Sequence, residues 1–240
     1  MKKLILFDID GTILNFKSYR SREIFKETIY ELFGVMLDEK LLPSFSGMTD
    51  LQILKEIAFH NNISYKSIED RINEIWDYIF QKFIPHTTKE NLLLLPGVKE
   101  ILFNLSQDNN FQLGLLTGNF KENAYLKLSV FRLEHYFPFG AFGSDYADRN
   151  MLPDLAISRA NEFVGKNYFA HSNTIIIGDS PKDIECAKEN NIPVLCVTTG
   201  IHSRSELDFY KPDFIVDDLS DTMNIEDIIK NTKLRSKRQE

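Results

Sequence analysis

Two carboxylates stand two residues apart where the first apolar run of the chain ends. Residues 2–7 are mostly apolar and are followed directly by Asp8, Ile9 and Asp10, and then by Gly11. Aspartate is unfavourable inside a strand and costly to bury without a partner, so a pair at a strand end suggests a bound cation or a reacting phosphate. An ordinary Asp-Gly turn between strand and loop is the alternative interpretation.

Polar clusters also follow two later apolar runs, residues 111–116 and 174–177. They are Thr117, Gly118 and Asn119 after the first run, and Asp179 and Asp183 after the second. Open α/β sheets bind ligands at the carboxyl ends of their strands, so we expect all three clusters to meet at one edge. Taken singly, each later cluster could be a turn, a helix N-cap or a surface charge. The three clusters together favour a shared site.

The expected cluster contains only oxygen ligands. Closely packed carboxylates need a cation in order to stay ionised. No histidine or cysteine cluster accompanies them in the sequence. Oxygen-only ligands select a hard ion, and we predict Mg²⁺ ahead of Ca²⁺ or Mn²⁺.

The apolar runs predict an α/β fold with a Rossmann-like parallel sheet. Continuous apolar runs are typical of strands buried on both faces. The predicted strands are residues 2–7, 111–116, 174–177, 193–197 and, more weakly, 213–216. Helical patterns lie between them at residues 96–105, 151–164 and 183–189.

A long segment after the first strand has a helical pattern alone. Apolar residues recur at helical spacing in residues 21–33, 51–58 and 68–83. We predict an inserted all-α cap domain at residues 16–87 and a Rossmann-like catalytic core at residues 1–15 and 88–240. The cap would move as a lid on hinges near residues 14–18 and 87–90.

The composition is that of an ordinary globular protein. The chain has 240 residues, of which 43% are hydrophobic and 26% charged, with a net charge of −7 that argues against a nucleic-acid-binding surface. No apolar stretch approaches the about 20 residues that a membrane helix needs, and no secretory signal is present. We predict a cytoplasmic protein in which Cys186 and Cys196 are buried and unpaired. No nucleic-acid partner and no membrane are expected, and the oligomeric state is left open.

Three segments resemble the signature motifs of the haloacid dehalogenase superfamily, especially its phosphatase branch. They are FDIDGT at 7–12, LLTGN at 115–119 and IIGDSPKD at 176–183. The helical insert looks like the cap of the phosphoglycolate-phosphatase-like subgroup. Within it, Gly47, Met48, Thr49 and Asp50 are similar to the cap loop that reaches the active site and helps to select substrate.

The resemblance implies a role for each matching position. Asp8 would attack phosphorus to form an aspartyl-phosphate, and Asp10 would act as general acid and then general base. Phosphate would be held by Thr117, Gly118 and Asn119. Mg²⁺ would be held by Asp8, the backbone carbonyl of Asp10, and Asp179, with Asp183 behind them or bound through water.

One position departs from the family pattern. The family usually supplies a lysine after the second motif, but none lies between Lys127 and Lys166. Arg149, before a predicted helix, is the best replacement, because a guanidinium stays charged and can hold phosphate through two hydrogen bonds. A solvated arginine at a helix start is the alternative.

The resemblance implies an Mg²⁺-dependent phosphatase whose partner is a small phosphorylated metabolite, a phosphomonoester of the phosphoglycolate, sugar phosphate or nucleotide class. A phosphomutase of the same superfamily is an alternative, and cations on the inner face of the cap would favour it, with Arg20, Arg22 and Lys55 as possible examples. A catalytically silent phosphometabolite-binding protein is a second alternative. A dehalogenase or phosphonate hydrolase is disfavoured because both branches depart from the pattern at Asp10.

Overall fold

Six parallel strands form the central sheet. The computed structural model describes residues 2–18 and 20–232. The strands are β1 Lys3–Phe7, β2 Leu14–Phe16, β3 Leu92–Leu94, β4 Phe111–Leu116, β5 Gly140–Ala141, β6 Thr174–Gly178, β7 Val194–Val197 and β8 Phe214–Val216. The sheet order is β5-β4-β1-β6-β7-β8, which places β1 in the interior between β4 and β6. The carboxyl ends of these three strands therefore lie side by side.

Ten α-helices are described. They are α1 Arg20–Phe33, α2 Asp50–His60, α3 Tyr65–Asp70, α4 Ile72–Phe83, α5 Val98–Gln107, α6 Lys121–Ser129, α7 Leu152–Val164, α8 Pro181–Glu189, α9 Arg204–Phe209 and α10 Thr222–Asn231. Side chains of β1 alternate between the two faces of the sheet, with Ile5 and Phe7 packing with α5, α6 and α10. Leu4 and Leu6 pack with α7, α8 and α9 on the other face. The predicted Rossmann-like α/β fold is confirmed.

The helical insert packs around an apolar cluster of its own. Side chains of α1, α2 and α4 form this cluster, including Phe25, Leu54 and Ile79. Phe120 of the sheet-containing part joins it, and its ring stacks on Trp76 with centroids 5.1 Å apart. The insert is thus packed directly against the start of α6.

Strands β2 and β3 pair antiparallel at the two ends of the insert. Leu14 lies opposite Leu94, and Phe16 lies opposite Leu92. The sequence analysis did not predict this pair, since three residues are too few to show a strand period. The two chain crossings between insert and sheet are therefore held side by side.

One helix prediction is wrong. Residues 68–83 were expected to form a single helix, but α3 and α4 are separated at Arg71, whose φ is −113° and ψ is 15°. The Arg71 amide donates to Ile68 O at 3.2 Å, which closes α3 with a tight turn. The apolar period continues across the break, so periodicity alone could not reveal it.

Two other expectations concern cysteines and membrane spans. Cys186 and Cys196 are buried and unpaired, as predicted. Across residues 2–18 and 20–232, none of the helices combines the length and the apolar character needed to cross a bilayer.

Candidate active site

The polar ends of β1, β4 and β6 open into a cavity of about 500 Å³ between the sheet edge and the helical insert. The sheet side contributes most of the predicted site residues, and the insert contributes a wall of both apolar and polar side chains. The predicted residues that line the cavity are Asp8, Asp10, Thr117, Gly118, Asn119, Arg149 and Asp179 from the sheet side, and Gly47, Met48 and Asp50 from the insert. Asp183 is fully buried beneath this surface.

Three buried carboxylates meet at the floor of the cavity. Asp8, Asp179 and Asp183 each offer an oxygen within 4.8 Å of the other two. Burial raises the pKa of Asp8 to about 6. The pKa of Asp179 is raised by burial and by the charges of Asp183 and Asp8. A bound divalent cation would relieve this repulsion, and an all-oxygen set of this kind fits a hard metal ion.

Gly11 lets the loop after β1 approach this cluster. Its φ is +85°, a conformation that glycine adopts without strain, and a Cβ here would lie 2.1 Å from Asp179 Oδ2. The adjacent Thr12 hydroxyl donates to Asp179 Oδ1 at 3.2 Å. The Asp-Gly-Thr segment therefore orients Asp179 as well as ending the strand.

Arg149 lies between two of the carboxylates. It is buried at the turn before α7, and its Nη2 is 3.0 Å from Asp8 Oδ2 and 2.6 Å from Asp183 Oδ1. Burial alone would lower the pKa of Arg149, but Asp183 and Asp8 raise it, so the guanidinium stays charged. Its Nε has no hydrogen-bond partner among the described residues. The single positive charge of Arg149 does not balance three carboxylates, and a divalent cation would balance the remaining negative charge.

Asp183 is held by protein donors on both oxygens. Its Oδ1 accepts from Arg149, while Oδ2 accepts from the Ser180 amide at 3.0 Å and the Ser180 hydroxyl at 2.6 Å. Ser180 and Asp183 form a capping box at the start of α8. Asp183 thus links the helix start to Arg149.

Asp10 and Asn119 belong to a second polar network. The Asn119 amide nitrogen donates to Asp10 Oδ2 at 2.7 Å and to Thr117 Oγ1 at 2.9 Å. Lys127 Nζ donates to both Asp10 oxygens, at 2.8 and 2.7 Å, and to Asn119 Oδ1 at 2.6 Å. The side chain of Asn119 is therefore committed to protein partners.

The loop at residues 47–50 contacts the sheet side closely. Arg149 Nη1 donates to Gly47 O at 3.1 Å, and a Cβ on Gly118 would lie 2.0 Å from Met48 O. The Thr49 hydroxyl donates to Ala147 O at 2.7 Å. Asp50 is tied through its amide to Gly118 O at 2.8 Å and through Oδ2 to the Phe120 amide at 2.7 Å.

A sequence model of the haloacid dehalogenase-like hydrolases matches residues 5–197 of this chain. The chain belongs to this family. A phosphoglycolate phosphatase of Nitrosococcus oceani is 24% identical over 224 residues, covering 93% of this chain and 96% of that protein. A pyrophosphatase PpaX of Bacillus mycoides is 18% identical over 233 residues, with coverage of 92% and 95%.

A solved β-phosphoglucomutase from Clostridium difficile shares the fold of this haloacid dehalogenase-like protein. The TM-score is 0.71 at 21% identity, and the match covers 97% of this chain and 99% of that one. The predicted family is confirmed, and the family and its relatives support the predicted class, a phosphatase among the hydrolases.

The sequence analysis missed Lys127. A signal was present, because Lys127 shares the buried face of α6 with Asn123, Ala124 and Leu128 at helical spacing. The family lysine is expected between Lys127 and Lys166, a span that contains no lysine, and Arg149 was therefore predicted as its replacement. The structure brings both cations to the cavity, one beside Asp8 and one beside Asp10.

Asp50 gives the hydrolase a testable pH dependence. Burial raises its pKa to about 7, whereas an unfolded aspartate titrates near 3.9. The contribution of this group to stability is therefore full below about pH 4 and is lost as the pH rises through about 7. The amide introduced by Asp50→Asn would keep an acceptor for the Phe120 amide but could not ionise.

We expect the unfolding free energy of the wild type, relative to Asp50→Asn, to fall by more than about 1 kcal/mol between about pH 5 and pH 8. Urea unfolding of both proteins at each pH measures it. Subtracting the variant removes the titration of the acidic cluster, which both proteins share. A difference that stays constant with pH would contradict the assignment.

Proposed function

We propose that this protein is an Mg²⁺-dependent phosphatase that hydrolyses a small phosphomonoester through an aspartyl-phosphate. The observation that carries the proposal is the position of Asp8, which lies with Asp179, Asp183 and Arg149 at the floor of a cavity large enough for a metabolite. Carboxylates compressed in this way need a cation, and a nucleophilic carboxylate needs the same charge neutralisation.

In the proposed first step, a carboxylate oxygen of Asp8 attacks phosphorus and the bond from phosphorus to the leaving oxygen breaks. Asp10 donates a proton to that oxygen. In the second step Asp10 takes a proton from water, which attacks the phosphorus and releases phosphate and the Asp8 carboxylate. Mg²⁺, held by Asp8, Asp179 and the carbonyl of Asp10 with Asp183 behind them, would offset the negative charge of the reacting groups.

The phosphoryl oxygens are proposed to bind between the end of β4 and Arg149. Thr117 and Gly118 line the cavity, and the Thr117 hydroxyl and the Gly118 amide would be donors to these oxygens. The Asn119 amide N–H already donates to Thr117 Oγ1 at 3.4 Å, and the Phe120 amide donates to Asp50. Arg149 also lines the cavity and would add a positive charge beside these oxygens. Because the amide of Asn119 is already shared by Asp10 and Thr117, its proposed role shifts towards orienting these two groups.

The cavity wall and the relatives support a substrate of the phosphoglycolate, sugar phosphate or nucleotide class. Phosphoglycolate phosphatases and a pyrophosphatase are among the similar proteins. The insert contributes Gly47, Met48 and Asp50 to the cavity together with the rings of Phe25 and Phe45. The side chain of Thr49 is instead committed to Ala147 O, so we propose that it fixes the loop while its neighbours meet the substrate.

Hydrolysis is favoured over phosphoryl transfer between two positions of a sugar. A mutase must hold a second phosphate, which calls for several cations on the inner face of the cap. Of the three cations considered, Arg22 lines the cavity, whereas Lys55 lies over the Tyr65 ring and Arg20 is exposed. Lys17, just after β2, is a second cation that lines the cavity on this side, so the preference for hydrolysis rests on the phosphatases among the relatives. A cytoplasmic location is proposed as well, since unpaired cysteines persist in a reducing compartment.

Metal removal tests the proposal. With Mg²⁺ we expect phosphate release from at least one ester in a panel of phosphoglycolate, glucose 6-phosphate, AMP and p-nitrophenyl phosphate, and we expect EDTA to abolish it. Mg²⁺ should also raise the melting temperature, since a ligand that binds only the folded state stabilises it. Wild-type release that is unaffected by EDTA would contradict the metal assignment. Tight binding of the esters without release would favour a silent binding protein.

A further inference from the structure

Lys127 is a buried cation with no role in the two reaction steps of the proposed function. Its side chain is 4% exposed. Taking an ammonium out of water costs several kcal/mol unless it is paired and hydrogen-bonded. Its three N–H groups find three acceptor oxygens, two on Asp10 and one on Asn119, at 2.6 to 2.8 Å. The pairing is thus complete and directed at one carboxylate.

The same contacts fix the orientation of the Asp10 carboxylate. Lys127 binds both of its oxygens, and the Asn119 amide adds a third donor on Oδ2. A carboxylate held on both oxygens cannot rotate freely about its terminal bond. Asp10 still lines the cavity and its side chain is 40% exposed, so one side of the carboxylate stays open.

We propose that Lys127 is a positioning residue that aims the Asp10 carboxylate at the leaving oxygen of the substrate. The inference rests on the proposed phosphatase function and deepens it. Lys127 acts through Asp10 and does not itself touch the reacting atoms. It is also distinct from Arg149, which pairs with Asp8 and Asp183 on the other side of the site.

Two aromatic rings lie close to the Lys127 ammonium group, one in β2 and one in the insert. Its Nζ lies 5.3 Å from the ring centroid of Phe16, in β2, and 5.8 Å from that of Phe83, at the end of α4. Rings at this distance attract a cation and shield it from water. The alignment of Asp10 therefore depends on residues from both parts of the molecule.

General acid catalysis has a signature that separates this role from a purely structural one. An alkoxide is a poor leaving group and needs a proton from Asp10, whereas p-nitrophenolate leaves readily without one. Loss of alignment should therefore slow the first step far more with alkyl esters than with p-nitrophenyl phosphate, whereas the second step, in which Asp10 acts as base, is the same for both esters. A general loss of folding or of phosphate binding would slow both alike.

The test compares wild type, Lys127→Met and Lys121→Met on p-nitrophenyl phosphate and on the best alkyl ester of the panel. Methionine keeps the length and the contact with the rings but removes the charge and the donors. We expect Lys127→Met to lower kcat/KM on the alkyl ester about 100-fold and on the aryl ester less than about 10-fold, because kcat/KM reports the first step, in which the leaving group departs. Lys127→Arg should recover part of the loss. Lys121, exposed at the start of the same helix, is the matched control and should behave as wild type.

A double variant tests whether Lys127 works through Asp10. In the Asp10→Asn background, Lys127→Met should cause little further loss on the alkyl ester. Equal losses of kcat/KM on the two esters, or a full additional loss in the double variant, would overturn the inference while leaving the proposed function intact. A wild type that hydrolyses neither ester would overturn the proposed function itself. If Lys127→Met does not fold, as judged by circular dichroism, Lys127→Gln takes its place in the same comparison.

Discussion

Asp8→Asn is expected to lower phosphate release by at least about 10⁴-fold, the scale seen when an enzyme loses its nucleophile. The substitution changes little in shape, and an asparagine can still accept from the Ile9 amide, as Asp8 does at 2.7 Å. An amide is nevertheless a very poor nucleophile towards phosphorus. The Asp8→Asn substitution also removes one of the three carboxylates of the acidic cluster, so the affinity for a metal ion should fall as well.

Two measurements check this expectation. Steady-state release with saturating Mg²⁺ gives the loss of rate, and the mass of acid-quenched enzyme shows whether a phosphoryl group is attached. The adduct should form in wild type and be missing in Asp8→Asn. Asp77→Asn, an exposed position on α4, is the control and should keep wild-type turnover. An adduct that persists in Asp8→Asn would place the nucleophile elsewhere.

Arg149→Ala is expected to destabilise the protein by about 3–5 kcal/mol in the absence of metal. The guanidinium is the cation beside Asp8 and Asp183, and both carboxylates are buried. Removing one partner of a buried ion pair leaves the other charge without compensation, which is the costly case. It also removes the donors to Gly47 O and Leu116 O, which join the loop at residues 47–50 to the end of β4.

The Arg149 variants should also differ in catalytic activity. Arg149→Lys keeps the positive charge but loses the planar set of donors, so its kcat/KM should lie between those of wild type and Arg149→Ala. Urea unfolding in EDTA measures stability, and phosphate release with Mg²⁺ measures activity. Arg204→Ala breaks an exposed pair with Asp217 and should cost at most about 1 kcal/mol. Turnover equal to wild type in both Arg149 variants would show that Arg149 has no electrostatic role in the reaction.

The central sheet could be predicted because its strands are apolar on both faces. β1, β4, β6 and β7 contain continuous apolar runs, and their polar ends revealed where the site would lie. β5 pairs with β4 but has only two residues, Gly140 and Ala141, which are too few to form an apolar run in the sequence. Local sequence therefore predicted the buried strands and the edge strand β8, but not the two-residue edge strand β5 or the pair of β2 and β3.

The site residues could be predicted where they directly follow a strand end. They could not be predicted where a contact depends on which face of a helix is buried. Asp8, Asp179 and Asp183 follow strand ends and were expected to converge. The contact between Lys127 and Asp10 joins residues 117 positions apart, and it depends on which face of α6 is buried. Sequence spacing does not report such a contact unless the helix and its inner face are identified first.

The antiparallel pairing of β2 with β3 has a mechanical consequence for how a metabolite enters. We expect two crossings bound side by side to act as one hinge, because twisting the insert about the ribbon would break the register of Leu14 with Leu94 and Phe16 with Leu92. The predicted lid motion of the insert would then be a swing away from the sheet edge. That swing would have to break the hydrogen bond from the Asp50 amide to Gly118 O, where the loop at residues 47–50 meets β4. We therefore expect a metabolite to enter and leave on that side of the cavity.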